Sequence, residues 1–322
     1  MVEVKNLSKS YGDKVALEDI SFSIDSGQIV GLLGLNGAGK STTMNILTGY
    51  ISASGGRVSI GGHDILSDGG KAKRLTGYLP EQPSFYPEMR VEEHLNFICD
   101  LKGVYKNKKE RGTHIADVCE RVGISDVRRR MIRNLSKGYR QRVGFAQALI
   151  GLPKVIILDE PTAGLDPSQI IEIRKLIQEC GKESTIIVSS HILFEIGTVC
   201  DRVIVINEGR IIADDSPEKL TAGAGVASRL EMRIKGDPQK VSTVLSGIDN
   251  VAQVDMLGEA EPRIYNYVIS AKRECDVRED VFRALAKANL PLLFSKSAAS
   301  SLEDVFLRLT GSRADSGEVK SS

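Results

Sequence analysis

Hydrophobic and polar positions along the chain follow two periods. Near the N-terminus they alternate, in Val2-Glu3-Val4-Lys5-Asn6-Leu7 and in Ile20-Ser21-Phe22-Ser23-Ile24, which predicts half-buried antiparallel strands. Further on, apolar residues run together without a polar break. Ile29 to Leu33, Val155 to Leu158, Thr185 to Val188 and Val203 to Ile206 predict short buried strands of the kind found in a parallel sheet. Arg57 to Ile60 and Leu75 to Leu79 predict two more strands, the second stopped by Pro80. Elsewhere the apolar spacing is helical: Val91, Leu95 and Ile98; Ile115, Val118 and Val122; Ile170, Ile173 and Ile177. Strand and helix signals alternate from 29 to 206, which predicts an α/β fold. Between about 87 and 150 strand signals vanish, which predicts a helical subdomain inserted into a sheet-containing domain.

The pattern breaks at Ala222-Gly223-Ala224-Gly225-Val226, a linker of small residues, and then restarts. Arg229 to Ile234 reads as a strand, Pro238 to Leu245 as a helix, Val251 to Met256 and Tyr265 to Ile269 as strands, and Val277 to Ala288 as a helix. Leu292 to Phe294 reads as a last short strand. Ser300-Ser301-Leu302-Glu303 is a capping box opening a final helix to about Leu309. This order predicts a small C-terminal α+β domain resembling a ferredoxin-like split βαβ unit. The expected domains are 1–222 and 227–310, with a polar, disordered tail over 311–322.

Composition narrows the function classes. The chain carries 43 Lys and Arg against 42 Asp and Glu, so no net charge points to nucleic acid or to an anionic membrane. The basic runs Lys106 to Arg111 and Arg128 to Arg130 read as solvated helix ends. The five cysteines, Cys99, Cys119, Cys180, Cys200 and Cys275, include no C-x-x-C pair, which argues against a disulfide framework or a zinc site and fits a reducing cytosol. No apolar run approaches the ~20 residues that a membrane helix needs.

The chemistry concentrates in Gly34-Leu35-Asn36-Gly37-Ala38-Gly39-Lys40-Ser41-Thr42. A buried strand precedes it and a helical start, Thr43 to Leu47, follows. Strand, G-x-x-x-x-G-K-S and helix together make a P-loop. Its glycines let backbone N–H groups turn inward around an anion, and the helix adds its positive dipole end. Lys40 reaches β- and γ-phosphates, and the Ser41 hydroxyl ligates Mg²⁺. A second apolar run ends in Asp159-Glu160, as a Walker B element does. Asp159 would hold Mg²⁺ through water, and Glu160 would polarise the attacking water.

Three further elements carry a resemblance to ABC ATPases across about residues 1–220. Leu135-Ser136-Lys137-Gly138-Tyr139-Arg140-Gln141-Arg142 resembles the family's signature. Gln82 stands at the Q-loop position. Gly164-Leu165-Asp166 resembles the D-loop, and His191 the switch histidine. The segment from about 225 to 310 more loosely resembles the C-terminal extension of ATP-binding subunits of ABC-2-type exporters, including gliding-motility-type and antibiotic-export members. The resemblance implies a P-loop NTPase fold of ABC ATPase type, with an antiparallel β subdomain and a helical subdomain.

It also implies roles for particular residues. Tyr11 would stack on adenine, and Gly34, Asn36, Gly37, Ala38, Gly39, Lys40, Ser41 and Thr42 would cradle the phosphates of ATP. Gln82 would touch Mg²⁺ and report nucleotide to a membrane partner. Ser136 and Gly138 would contact the γ-phosphate bound by a second ATPase subunit, giving a homodimer. Asp166 would link the two sites, and His191 would hydrogen-bond the γ-phosphate. The implied catalytic residues are Glu160, His191 and Gln82, and the implied Mg²⁺ ligands are Ser41, Gln82 and Asp159. The implied partner is an ABC-2-type membrane permease that holds the chain at the inner face of the cytoplasmic membrane. The signature departs from the family's usual pattern at Lys137 and Tyr139, where Gly and Gln are usual; Ser136 and Gly138 are kept. Two other readings fit an ATP-binding cassette: a soluble ABC ATPase in translation or DNA maintenance, and a nucleotide-binding regulator without hydrolysis. The first usually carries two cassettes or a long coiled coil, and this chain has one cassette and no sustained heptads. Glu160 and His191 argue against the second.

Overall fold

The structure, a computed structural model, describes residues 1–223, 229–272, 275–298 and 302–310. These divide into two compact units, 1–216 and 217–322. In the first unit, β1 (Val2–Tyr11) and β2 (Lys14–Ile24) form a hairpin, followed by β3 (Ile29–Leu33) and α1 (Lys40–Leu47). Then come β4 (Gly55–Ile60), β5 (His63–Asp64), α2 (Gly69–Arg74) and β6 (Thr76–Leu79). Three helices follow without a strand: α3 (Val91–Lys102), α4 (Lys108–Arg121) and α5 (Lys137–Leu149). The unit closes with β7 (Val155–Asp159), α6 (Pro167–Gly181), β8 (Thr185–Ser190), α7 (Leu193–Val199), β9 (Arg202–Asn207) and β10 (Arg210–Asp215).

Two sheets result. The antiparallel one has the order β2-β1-β4-β5, and the other has the order β10-β9-β3-β8-β7-β6. All pairs of the second sheet are parallel except β10 on β9. Every residue of β3, β7 and β8 is buried, as unbroken apolar runs require. One core joins the inner faces of the antiparallel sheet (Val2, Leu7, Ile20, Ile24, Val58) to α1 (Met44, Ile46, Leu47) and to the parallel strands (Leu32, Ile157, Ile187, Ile204). Each such side chain contributes about 1.5–3 kcal/mol by leaving water. The helical face that the spacing predicts on α3 is the buried one, with Val91, Leu95 and Ile98 joined by His94 and Cys99.

Three local readings differ from the sequence pattern. The helix after the P-loop begins at Lys40 rather than at Thr43, because its first turn carries polar residues that serve chemistry and not the core. The stretch Lys9-Ser10-Tyr11-Gly12-Asp13, which reads as a turn between the two alternating strands, is strand as far as Tyr11, which pairs in register with Lys14 across the hairpin. The basic run at Arg128 is not wholly solvated. The Arg128 guanidinium donates twice to the Glu92 carboxylate, at 3.0 and 2.9 Å, and holds that carboxyl below its ordinary pKa.

The second unit contains α8 (Pro217–Gly223), β11 (Arg229–Lys235), α9 (Pro238–Ser246), β12 (Val251–Glu261), β13 (Ile264–Ala271), α10 (Arg278–Lys287), β14 (Leu292–Ala298) and α11 (Leu302–Leu309). Its antiparallel sheet has the order β12-β13-β11-β14, a split βαβ arrangement. Leu230, Met232, Ile234, Tyr267 and Ile269 from the sheet meet Val241, Leu245, Val281 and Leu285 from α9 and α10 in a separate core. The division falls before α8, so that helix groups with the second unit rather than ending the first. Residues Ala224 to Val226 of the expected linker, Ser300 and Ser301 of the capping box, and the tail 311–322 lie outside the described residues.

Candidate active site

The sheet order decides where chemistry can gather. Strands β3, β8, β7 and β6 are consecutive neighbours and parallel, so their carboxyl ends lie side by side at one edge. The P-loop leaves β3, the Asp159-Glu160 pair closes β7, His191 follows β8, and Glu81 and Gln82 follow β6. Segments far apart in sequence therefore converge, as they do at the carboxyl edge of open α/β sheets.

A cavity of about 330 Å³ opens there, lined by P-loop residues Asn36, Gly37, Gly39, Lys40, Ser41 and Thr42. Tyr11, Lys14 and Ala16 of the first hairpin also line it, as do Glu81, Glu160, Ala163 and His191. Gly37 and Gly39 have φ of 83° and 115°, left-handed values that suit glycine. At Gly39 a side chain would also collide with its surroundings, since an added Cβ would lie 2.9 Å from the Ala16 carbonyl oxygen. No side chain caps the N-terminus of α1. Its first N–H groups and its dipole thus face the loop, the arrangement that binds phosphate.

Lys40 is only 6% exposed, and its ammonium donates to the carbonyls of Gly34 at 2.7 Å and Leu35 at 3.3 Å. Burial pushes its pKa down; Glu160, Asp159 and Glu81 oppose that. Glu160 Oε1 lies 4.0 Å from Lys40 Nζ, and Glu160 Oε2 accepts from His191 Nδ1 at 2.8 Å. A carboxylate only accepts, so Nδ1 carries the proton of that bond. Asp159 is buried beside them. Burial raises its pKa, while the hydroxyl of Ser189, 2.5 Å from Oδ1, lowers it.

A scan against family models matches residues 17–163 to the ABC transporter family. The linearmycin resistance ATP-binding protein of Bacillus subtilis is 31% identical over 97% of this chain and 98% of its own length. The chain belongs to the ABC transporter ATP-binding proteins. The bacitracin transport ATP-binding protein of Bacillus licheniformis is 29% identical over 97% of both chains. Among solved structures, an ATP-binding subunit of an ABC transporter superposes with a TM-score of 0.64, at 31% identity over 70% of this chain and 93% of that one. A dimeric ATP-binding cassette in a post-hydrolysis state, bound to ADP and phosphate, gives 0.62 at 26% identity over 67% and 98%. This is an ABC-type ATPase, and its cassette is the first unit.

Not every residue that the sequence assigns to this ATPase site lines the cavity. Gly34 and Ala38 are buried in the loop beneath it. Gln82 is exposed and lines an adjoining groove with Pro83, Phe85, Lys137 and Gln141, while its neighbour Glu81 reaches the phosphate side. Ser136, Gly138 and Asp166 do not line the cavity either. Ser136 is the N-cap of α5 and accepts from the Tyr139 N–H at 3.4 Å. Asp166 is the N-cap of α6, accepting from Gln169 N–H at 3.0 Å and from the Ser168 hydroxyl at 2.6 Å, which hold its carboxyl below its ordinary pKa. The two caps belong to one body. Gln141 donates to the Pro161 carbonyl at 3.0 Å, Gln169 lies over Gly138, and the Lys137 ammonium lies against Gly164. The signature helix is thereby fastened to the D-loop of its own chain.

Sequence reading missed the polar groups behind the site. Ser189 and Ser190 are both fully buried at the end of β8. Glu195, also buried, accepts from Thr162 Oγ1 at 2.5 Å and from Ser190 Oγ at 3.3 Å, with Arg174 at 3.6 Å. It ties the segment after Glu160 to the segment after β8. The available signal was the switch from Ile186-Ile187-Val188 to two serines, since a hydroxyl inside a buried strand needs a partner.

Proposed function

We propose that this chain is the ATP-hydrolysing subunit of an exporter. It dimerises head-to-tail on ATP and drives a separately encoded ABC-2-type permease from the inner face of the cytoplasmic membrane. The observation that carries the reading is the meeting of Lys40, Glu160 and His191 at one cavity, with Glu160 bonded to His191 at 2.8 Å and 4.0 Å from the Lys40 ammonium. In this reading Tyr11 stacks on adenine, and Asn36 to Thr42 with the α1 N-terminus bind the triphosphate. Lys40 neutralises the β- and γ-oxygens. Glu160 orients water for in-line attack. Its Nδ1 being held by Glu160, His191 meets the γ-phosphate through Nε2.

The Ser41 hydroxyl and the Asp159 carboxylate are hard oxygen donors at the phosphate cradle, which fits Mg²⁺ shared with phosphate oxygens, and the Gln82 amide, a further oxygen donor, stands in the adjoining groove. The ion would supply charge neutralisation at the β- and γ-phosphates. Ser136, Gly138 and Asp166 do not line their own P-loop cavity, which supports a role at the nucleotide of a second subunit. The names of the linearmycin and bacitracin relatives support export. Among the described residues no helix is long and apolar enough to cross a membrane, in keeping with a permease as anchor. The second unit serves as a regulatory or accessory module.

The test is Glu160→Gln in the full chain. ATP binding is retained, and hydrolysis falls by a factor on the order of 10² or more. An unchanged rate would remove Glu160 from the mechanism.

A further inference from the structure

We infer that Ser189 is a positioning residue that aims both carboxylates following β7. The inference rests on the roles proposed above for Asp159 and Glu160. It begins from register: β7 and β8 are parallel neighbours, and Asp159 pairs with Ser189 at the last rung of the ladder. The Ser189 side chain is 0% exposed and lies between two groups of the opposite strand end. Its hydroxyl donates to Asp159 Oδ1 at 2.5 Å and accepts from the Glu160 N–H at 2.9 Å. A hydroxyl has one proton to give and lone pairs to receive, and here both capacities are used.

The consequence for Glu160 is conformational. Its φ is 47°, in the left-handed region that a residue with a Cβ enters only when its surroundings hold it there. Ser189 bonds the N–H of that very peptide. The resulting turn carries the side chain back to His191 and toward Lys40 instead of onward along β7. The consequence for Asp159 is rotational: with Oδ1 tied to β8, the carboxylate cannot spin, and Oδ2 is the oxygen left for a ligand. The two groups that the mechanism needs at fixed positions are thus set by one hydroxyl that lies outside the cavity lining. A serine that merely filled space would need neither bond. The three residues before it in β8, Ile186 to Val188, are buried and apolar.

The experiment compares the full chain with Ser189→Ala, Ser189→Cys, Glu160→Gln and the Ser189→Ala/Glu160→Gln pair. Single-turnover and steady-state hydrolysis are measured, together with equilibrium binding of a fluorescent ATP analogue in EDTA and across a Mg²⁺ titration. For Ser189→Ala the expected result is a fall of about tenfold in kcat, with KM for ATP and binding in EDTA within about twofold. The Mg²⁺ concentration that half-saturates the metal-dependent increment of binding rises severalfold. In the Glu160→Gln background at saturating Mg²⁺ the same substitution removes less than about a further twofold of the single-turnover rate, because the part that acts through Glu160 is already disabled and the part that acts through Asp159 is offset by excess metal. A kcat and Mg²⁺ midpoint both unchanged, or the full loss repeated in the Glu160→Gln background, would overturn the inference. Should Ser189→Ala lose binding in EDTA, Ser189→Cys, which keeps the volume but bonds weakly, is judged by the same criteria. Loss of binding by both makes Ser189 a packing residue and also overturns it. Glu160→Gln alone separates the two levels. Full activity there removes the site reading itself, whereas a strong defect there with a silent Ser189→Ala removes only the role of Ser189.

Discussion

At the scale of single residues, the chemistry legible in the sequence was the part written contiguously. Lys40 and Ser41 announce themselves because the phosphate cradle needs glycines, lysine and hydroxyl in one short loop. Asp159 and Glu160 are legible because an unbroken apolar strand ends on them. Ser189 and Glu195 were not, because their partners are distant in sequence: sheet pairing brings Asp159 to Ser189, and the packing of α7 brings Glu195 to Thr162, in the segment after β7. Tyr11 lies between these cases. It is 51% exposed at the end of β1, with the Lys9 ammonium 5.0 Å from its ring centre, and it borders the same cavity as Glu160. A stacking platform reads a π-face and not a hydrogen-bonding edge. Tyr11→Ala is therefore expected to weaken ATP binding about five- to tenfold, and Tyr11→Phe to leave it within about twofold. GTP and ATP should lose affinity in parallel. Equilibrium titration of both nucleotides checks this; a loss confined to ATP would mean that Tyr11 reads the base edge.

At the scale of elements, long periodic segments were legible and short ones were not. The apolar runs of β3, β7 and β8 and the helical stripes of α3 and α4 emerge where the pattern puts them, because burial alone dictates those residues. Neither β5, with two residues, nor α2 and α7, with six and seven, spans enough turns or rungs to leave a period. The helical stripes also carry a pH liability that no spacing rule reveals. His94 on α3 is 2% exposed, its Nε2 bonds Gln147 Oε1 at 2.9 Å, and its Nδ1 has no partner among the described residues. Burial pushes its pKa down, and does the same to His114 on α4, whose Nε2 accepts from the Gly151 N–H at 3.2 Å. The folded chain thus resists a proton that the unfolded chain accepts near the ordinary histidine value of about 6.5. Below that pH the unfolded state binds more protons, so stability falls as pH falls, by at most about 1.4 kcal/mol per pH unit for each histidine. Urea unfolding at pH 7.5 and 5.5 should show this loss, and His94→Gln should shrink it. An equal loss in the variant would place the acid sensitivity elsewhere.

At the scale of the whole molecule, the two-part organisation was legible from the restart of the pattern after residue 222, and the α/β class from the alternation between 29 and 206. The structure divides the chain between 216 and 217, ahead of α8, whereas the run of small residues suggests a break after that helix. In the proposed function, a second chain completes the site. Ser136 and Gly138 open a helix whose near neighbours are its own Pro161, Gly164 and Gln169, and they do not line their own P-loop cavity. The central claim is therefore that each working site is built from the P-loop of one copy and the signature of another. Mixing tests it most directly. A Lys40→Ala chain and a Ser136→Arg chain, each inactive alone, are combined, and ATP-dependent dimer formation and hydrolysis are measured by sedimentation and phosphate release. The account predicts that dimers and hydrolysis appear on mixing, because each heterodimer pairs the Lys40 of the Ser136→Arg chain with the Ser136 of the Lys40→Ala chain. A mixture with no ATP-dependent dimer and no more hydrolysis than either parent would contradict it.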